Sequence, residues 1–371
     1  LVQRSGFGTT RLFELFRQHY HRTPAEVLLR ARLEHAKRHL LATDAGLVEI
    51  AADAGFESIS VFHEHFRRRL GLTPGAYREL QATNRFVVTL PTGYPLNYLR
   101  RALSRDGHSA SERFVGDSYV AAIRLSGNPA LLRLQLSSGG IAAEISAGSA
   151  VEAHAIVCGL AGLDQDAGAF ATLAKKLGLA RLVAGRPELR ISQTPSVFDG
   201  LLWSIVGQQI NFPFACLLKR RLFERAGTPI DAGLFAPPSP AAVAALAPAD
   251  LVAAQFSRQK ASYLIDTSRL IVEGKLDLES LPALSATRAE RTLLAIRGLG
   301  PWSVNYLMMR ALGFPDCVPL GDTGVTSGLQ AALKLEKRPD VDATRRLMAV
   351  FSPYRSLATA HLWQFNQTIP T

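Results

Sequence analysis

The segment RGLGPWSVNYLMMRALGFPDCVPLGDTG, residues 297–324, leaves little freedom in how this chain can fold. Upstream of it Leu293, Leu294 and Ile296 follow a helical spacing, and Thr287 with Glu290 reads as a T-x-x-E capping box for that helix. Gly298 and Gly300 predict a tight turn, and Pro301 stands where a second helix starts and its missing N–H costs nothing. Two short helices joined in this way make a helix-hairpin-helix. Glycines allow a close backbone approach to a phosphate, and the free N–H groups opening the second helix form an anion site that reads no base sequence. Gly298, Gly300 and Trp302 are therefore expected at a nucleic-acid phosphate.

On the second helix Val304, Leu307 and Met308 form a packing stripe, while Trp302 and Tyr306, at i and i+4, share another face. That spacing suits a core as well as a binding surface. After Gly313-Phe314-Pro315 the chain takes an irregular path to Asp322, a position that suits a helix N-cap as well as a site carboxylate.

Charge points to the partner. Lys and Arg number 42 against 31 Asp and Glu, a net charge of +11 that suits a polyanion such as nucleic acid. The three cysteines, Cys158, Cys216 and Cys317, lie far apart, so thiols alone build neither a disulfide framework nor a four-thiolate metal site. No metal site made of side chains is expected. No apolar run approaches the roughly 20 residues of a membrane span, and the expected location is the cytoplasm. The chain opens at Leu1 within a helical pattern, which suggests a fragment of a longer product.

Residues 1–82 are dense in helical periodicity. Leu47, Ile50 and Ala51 fall at i, i+3 and i+4, a Gly55-Phe56 turn follows, and Ser58 is a plausible N-cap for a helix running to Leu70. Phe62, Phe66 and Leu70 share one stripe of that helix. Ser58, Ile59, Ser60 and His63 are left for a DNA groove, and Arg67 to Arg69 for phosphates. The scheme occurs twice, since Gly6-Phe7, then Leu12, Phe13 and Phe16, then Thr23-Pro24 mirror the later unit up to Thr73-Pro74. This duplication, with the helix RLEHAKRHLL between its halves, resembles the paired helix-turn-helix of AraC-type regulators, and the resemblance implies promoter DNA as a partner of residues 1–82.

From about residue 85 the period changes to two. RFVVTL, SYVAAIRL, LLRLQLS and IAAEIS predict a small antiparallel sheet with a Gly139-Gly140 turn, followed by helices near 150–162 and 168–178. Residues 185–371 read as helices between proline-rich loops. One opens at Thr194-Pro195-Ser196, carries Phe198, Leu201, Leu202, Ile205 and Val206 on one face, and ends at Gln208-Gln209. The expected fold is multidomain and mainly α: a paired helix-turn-helix over 1–82, a small α+β domain over 85–185, and an all-helical helix-hairpin-helix domain over 186–371.

Five ordered blocks between about 85 and 366 carry a second resemblance: the sheet segment, LLWSIVGQQI, FSRQKASYLIDTSRLIVEGKLDLESL, Leu293–Val325, and YRSLATAHLWQF. Together they resemble the helix-hairpin-helix DNA glycosylases of the AlkA or 3-methyladenine glycosylase II type. The resemblance implies that Asp322 is the catalytic carboxylate, that Trp302, Tyr306 and Trp363 line a base pocket with Gln208 at its mouth, and that Gln209 wedges into the gap left by a flipped base. It implies a monofunctional enzyme that excises alkylated purines from double-stranded DNA as a monomer, without an organic cofactor, and with at most a monovalent cation on the hairpin's backbone carbonyls. A lysine nucleophile in strand-cleaving relatives stands where this chain has Trp302. The helix after Asp322 lacks the early Arg or Lys expected of a phosphate clamp. The alternative is an inert regulator that uses the same fold to sense lesions.

Overall fold

Alternating and helically spaced apolar residues dictate most of the elements seen in the computed structural model, which describes residues 2–365. Leu1 and residues 366–371, the end of the expected third segment, lie outside the described residues. Packing divides the chain into two compact units. One comprises the described residues of Leu1–Thr23, Gln165–Gln208 and Gly274–Thr371, and the other comprises Pro24–Asp164 and Gln209–Glu273. The borders of these units do not follow the sequence segments, because each unit is completed by stretches remote in the chain.

The sheet lies in the second unit. Its order is β1-β5-β4-β3-β2, with β1 Arg85–Thr89, β2 Glu112–Val115, β3 Ser118–Leu125, β4 Asn128–Ser137 and β5 Gly140–Ile145, all antiparallel. Strand β2 and the helix Leu96–Leu103 are additions to the sequence reading, each too short for its periodicity to stand out. Ser137 pairs with Gly140, so the hairpin turns at Ser138-Gly139, one residue earlier than expected. Gly140 belongs to the strand. A Cβ there would lie 2.6 Å from the Val88 carbonyl oxygen, so glycine is what lets β1 come close.

Strand β3 is buried on both faces. Tyr119, Ala121, Ile123 and Leu125 enter the main core, while Val120 and Ala122 pack with Leu131 against Leu234 and Ala236. Those last two residues belong to a two-stranded ribbon, Thr228–Ile230 paired with Leu234–Ala236, within the segment expected to be all-helical. Strands of three residues give no periodic signal. Arg124 joins β3 to the ribbon, donating from Nε to the Pro237 carbonyl at 2.6 Å and from Nη2 to Thr228 Oγ1 at 2.8 Å.

The later helix-turn-helix shares this unit's core. The helices Leu47–Asp53 and Ile59–Leu70 form it, and Ser58 caps the second by accepting the Val61 N–H at 3.2 Å. Phe62 and Phe66 are fully buried in the same cluster as Phe86, Val88 and Ile141. The helix ends at Gly71, φ 64°, where a Cβ would lie 2.5 Å from Val88 Cγ1. Arg69, expected to reach phosphate, instead donates to the Asp164 carboxylate at 2.7 Å and to the Asp164 carbonyl at 3.0 Å. With the apolar stripe turned inward, position 69 lies beside the buried face rather than opposite it. Arg67 is exposed.

In the first unit the helix Thr9–Tyr20 packs along the helix Ala286–Leu294, with His19 Nδ1 2.9 Å from Thr287 Oγ1. Arg22 donates to the Gly313 carbonyl at 3.0 Å. The expected Thr287–Glu290 capping box is absent. Ser285 has the extended backbone that an N-cap requires and accepts the Arg288 N–H at 3.3 Å, which leaves the Thr287 hydroxyl for His19.

Buried histidines give the fold an acid dependence. His154 Nε2 sits 2.7 Å from the Leu70 carbonyl, between the rings of Tyr77 and Phe86, and burial pushes its pKa down to about 4. An unfolded imidazole titrates near 6.5, so acid favours the unfolded chain: the stabilisation is complete above about pH 6.5 and is lost as pH falls towards about 4. The loss for this group is on the order of 3 kcal/mol. Urea unfolding between about pH 7 and 4 should show it, and His154→Phe should flatten the profile. Equal slopes for the two proteins would show that this imidazole is not held neutral in the fold.

Candidate active site

The hairpin places the site. Gly298 takes φ 95°, Leu299 is buried, and Gly300 in extended backbone leads into the helix Pro301–Arg310 with Pro301 at its first turn. Among the described residues nothing lies within 4 Å of a Cβ built on Gly300, so their packing does not require glycine there. The side chain of Gln208, just past the helix Val197–Val206, braces the turn by donating from Nε2 to the Gly298 carbonyl at 2.8 Å and to Ser303 Oγ at 3.0 Å. Gly200 brings that helix against the hairpin, since a Cβ there would lie 2.6 Å from Ala311 Cβ.

On the second hairpin helix Trp302 and Tyr306 stack at 5.3 Å and 20°, and Trp363 stands 6.1 Å from Tyr306 at 44°. The Tyr306 hydroxyl accepts from Trp203 Nε1 at 3.1 Å. The chain's three tryptophans therefore meet around one tyrosine. Tyr306 is buried, and the three indoles are partly exposed.

Asp322 joins this cluster and also caps a helix, as its N-cap reading expected. It opens the helix Thr323–Leu333, with Oδ1 accepting the Val325 N–H at 2.9 Å. Oδ1 also accepts from Trp363 Nε1 at 2.8 Å, and Oδ2 from Trp302 Nε1 at 3.3 Å. Gly324 makes room for this, because a Cβ there would lie 2.7 Å from Trp363 Cδ1. One turn on, a Cβ on Gly328 would lie 2.5 Å from the Leu362 carbonyl oxygen, so glycine also brings the helix Arg355–Phe365 close.

A buried fork fixes the approach to Asp322. Arg355 donates from Nε to Asp316 Oδ1 at 2.7 Å and from Nη2 to Oδ2 at 2.8 Å, and Ser352 Oγ donates to Oδ2 at 2.9 Å. Burial would raise the Asp316 carboxyl, but the hydrogen bonds and charge of Arg355 outweigh it and hold the group below the usual carboxylate range. This fork ties the loop before Asp322 to the helix that carries Trp363.

The structure thus brings together Asp322, Trp302, Tyr306 and Trp363, and places Gln208 on the hairpin turn. Gln209 is exposed, takes φ 55°, and belongs to the second unit. The Gly298 carbonyl, one of the hairpin oxygens expected to face a cation, accepts from Gln208. On the helix-turn-helix, Ser58, Ser60 and Arg67 are exposed, and Ile59 and His63 are half-buried. Sequence reasoning missed Trp203 and Gly324. The scarcity of tryptophan, with one inside LLWSIVGQQI, was the available signal for the first.

Comparison with known proteins identifies the families to which the two parts of the chain are similar. Residues 202–353 match the HhH-GPD superfamily base excision DNA repair proteins, and residues 1–80 match a helix-turn-helix domain family. The chain is 32% identical over 206 residues to a DNA-3-methyladenine glycosylase of Bacillus subtilis, covering 54% of this chain and 68% of that protein. It is 37% identical over 169 residues to a second protein of that organism, a putative DNA-3-methyladenine glycosylase, covering 46% of this chain and 58% of the relative. Among solved structures, a 3-methyladenine DNA glycosylase from Archaeoglobus fulgidus superposes with a TM-score of 0.67 at 17% identity, over 76% of this chain and 99% of that one, a likeness of fold.

Gly324→Ala tests the packing around the carboxylate. The added methyl must displace the Trp363 indole, so the near-ultraviolet circular dichroism of the cluster should change and stability should fall by about 1–3 kcal/mol. Thr323→Ala, on the exposed side of the same turn, should change neither quantity. An unaltered aromatic spectrum for Gly324→Ala would show that Trp363 is not seated there.

Proposed function

The chain belongs to the HhH-GPD superfamily of base excision DNA repair proteins, and from that premise we propose that it is a monofunctional glycosylase releasing alkylated purines from double-stranded DNA. One observation carries the reading: a single carboxylate, Asp322, is held by two indole N–H groups at the edge of a cluster of four aromatic side chains.

The chemistry follows from charge. A purine alkylated on a ring nitrogen carries a positive charge, and the electron-rich faces of Trp302, Tyr306 and Trp363 attract a desolvated cation by as much as about 2 kcal/mol. Such a base is also a good leaving group. As the glycosidic bond lengthens, positive charge grows on the sugar, and a fixed carboxylate stabilises it and orients the attacking water. Asp322 suits this role because its helix cap and two indole bonds fix its position before substrate arrives.

The target base must leave the stack, at a cost of a few kcal/mol that is smallest for damaged pairs. The hairpin around Gly298, Gly300 and Trp302 offers backbone N–H groups to the phosphates without reading sequence. Gln209 is the proposed wedge. A glutamine at positive φ is a strained conformation of the kind retained where a side chain must be aimed, and this one is exposed. The exposed Ser58, Ser60 and Arg67 of the helix-turn-helix are proposed to meet promoter DNA.

Water is the proposed nucleophile. Position 302 is an indole without an amine, and Lys334, the nearest lysine after Asp322 in sequence, sits at the far end of the helix that Asp322 caps. Twelve residues of helix rise separate the two backbones by about 18 Å. Borohydride added during base release should therefore trap no covalent complex. An adduct forming in step with free base would overturn the assignment.

Incubation with DNA containing a methylated purine should yield free base, and Asp322→Asn should slow that release at least about 100-fold while DNA affinity holds or rises. Tight binding of lesion DNA with no release by the unsubstituted protein would favour the lesion-sensing regulator instead. An active Asp322→Asn protein would end the assignment of this carboxylate.

A further inference from the structure

A second cluster lies outside the glycosylase site. On the helix Pro24–Ala42, His35 and His39 stand at i and i+4, so their rings lie on one face with centroids 4.4 Å apart. Asp53 ends the helix Leu47–Asp53 and turns its carboxylate towards both. Its Oδ2 is 2.7 Å from His35 Nε2 and 3.4 Å from His39 Nδ1. The three donor atoms all lie within 4.8 Å of one another, and among the described residues no other group of three or more His, Cys, Asp or Glu converges in this way.

We propose that His35, His39 and Asp53 form a binding site for a divalent transition-metal ion of the Zn2+ class, with water completing the coordination. Zinc–nitrogen and zinc–oxygen bonds are about 2.0–2.2 Å, so neighbouring ligands of a tetrahedral ion stand roughly 3.4 Å apart. The His39–Asp53 separation already has that value. The His35–Asp53 pair is at hydrogen-bond distance and needs to open by a few tenths of an ångström, a small torsional change for side chains that are 37% and 51% exposed.

Donor type selects the ion. Two imidazoles and one carboxylate suit Zn2+, Ni2+ or Cu2+, whereas Mg2+ and Ca2+ prefer all-oxygen shells and Cu+ prefers sulfur. A shared proton serves one imidazole–carboxylate contact, while a metal ion engages both imidazoles and the carboxylate together. The expectation of no side-chain metal site came from reading cysteines. These ligands are two histidines four apart and an aspartate 14 residues further on, joined only by the packing of two helices.

The site has a structural consequence. Asp53 is the last residue of the first helix of the later helix-turn-helix, and the Ala54-Gly55 turn leads to Ser58 and the exposed side chains proposed to meet DNA. An ion held there clips that helix to Pro24–Ala42 and stabilises the fold by mass action, since the unfolded chain does not hold the three ligands together.

The test uses the full chain after chelator treatment. Calorimetric titration with Zn2+ should show one equivalent bound and a rise in the thermal midpoint, and Co2+ should give visible d–d absorption. The double variant His35→Ala/His39→Ala should lose at least about 100-fold in Zn2+ affinity, and Asp53→Asn at least about 10-fold. All three side chains are partly exposed, so the variants should keep the parent's far-ultraviolet circular dichroism. If the double variant fails to fold, Asp53→Asn alone decides. Absence of Zn2+ binding up to about 1 mM free ion, or binding unchanged in the variants, would overturn the site.

Discussion

The candidate site depends on how one carboxylate is satisfied. Asp322 accepts from the Val325 backbone, from Trp363 and from Trp302, and so ties together the start of one helix, the second hairpin helix and the C-terminal helix. Remove any of the three and a half-buried oxygen loses a donor, at a cost of about 1–3 kcal/mol. The side chain that caps the helix is therefore also the carboxylate proposed for catalysis, and the capping bond supplies the rigidity that such a role would require.

Close approach of helices makes that arrangement possible. Gly200, Gly324 and Gly328 each stand where a methyl group would meet a neighbour at under 3 Å, and all three lie on helices that carry or support the aromatic cluster. Glycine inside a helix costs roughly 1 kcal/mol relative to alanine. Here that cost is offset by indoles and backbones brought to distances no larger residue permits. The Asp316–Arg355 fork acts in the same direction, anchoring the irregular loop before Asp322 with two charge-assisted hydrogen bonds in a buried setting.

The regulator-like segment is not a bead on a string. Phe62 and Phe66 share a core with Phe86 and Val88, and the Leu70 carbonyl bonds His154 of the helix behind the sheet. Within the other unit, Thr9–Tyr20 lies against the first hairpin helix. The two halves of the helix-turn-helix repeat thus belong to different units, each completed by other parts of the chain.

Sequence alone determined what depends on local chemistry. The glycine turn and Pro301, the Ser58 cap, the period-two strands and the aromatic pair at 302 and 306 follow from spacing and backbone preference, and family resemblance singled out Asp322 and Trp363. Tertiary structure decided what depends on partners remote in the chain. Trp203 finds Tyr306 across 103 residues, Arg69 meets Asp164 across 95, and Ser285 displaces Thr287 as the cap while His19 takes up the threonine hydroxyl. The convergence of His35 and His39 on Asp53 is of the same kind. Periodicity reports which face of an element is buried, but the identity of the group on the far side is fixed only when the elements pack.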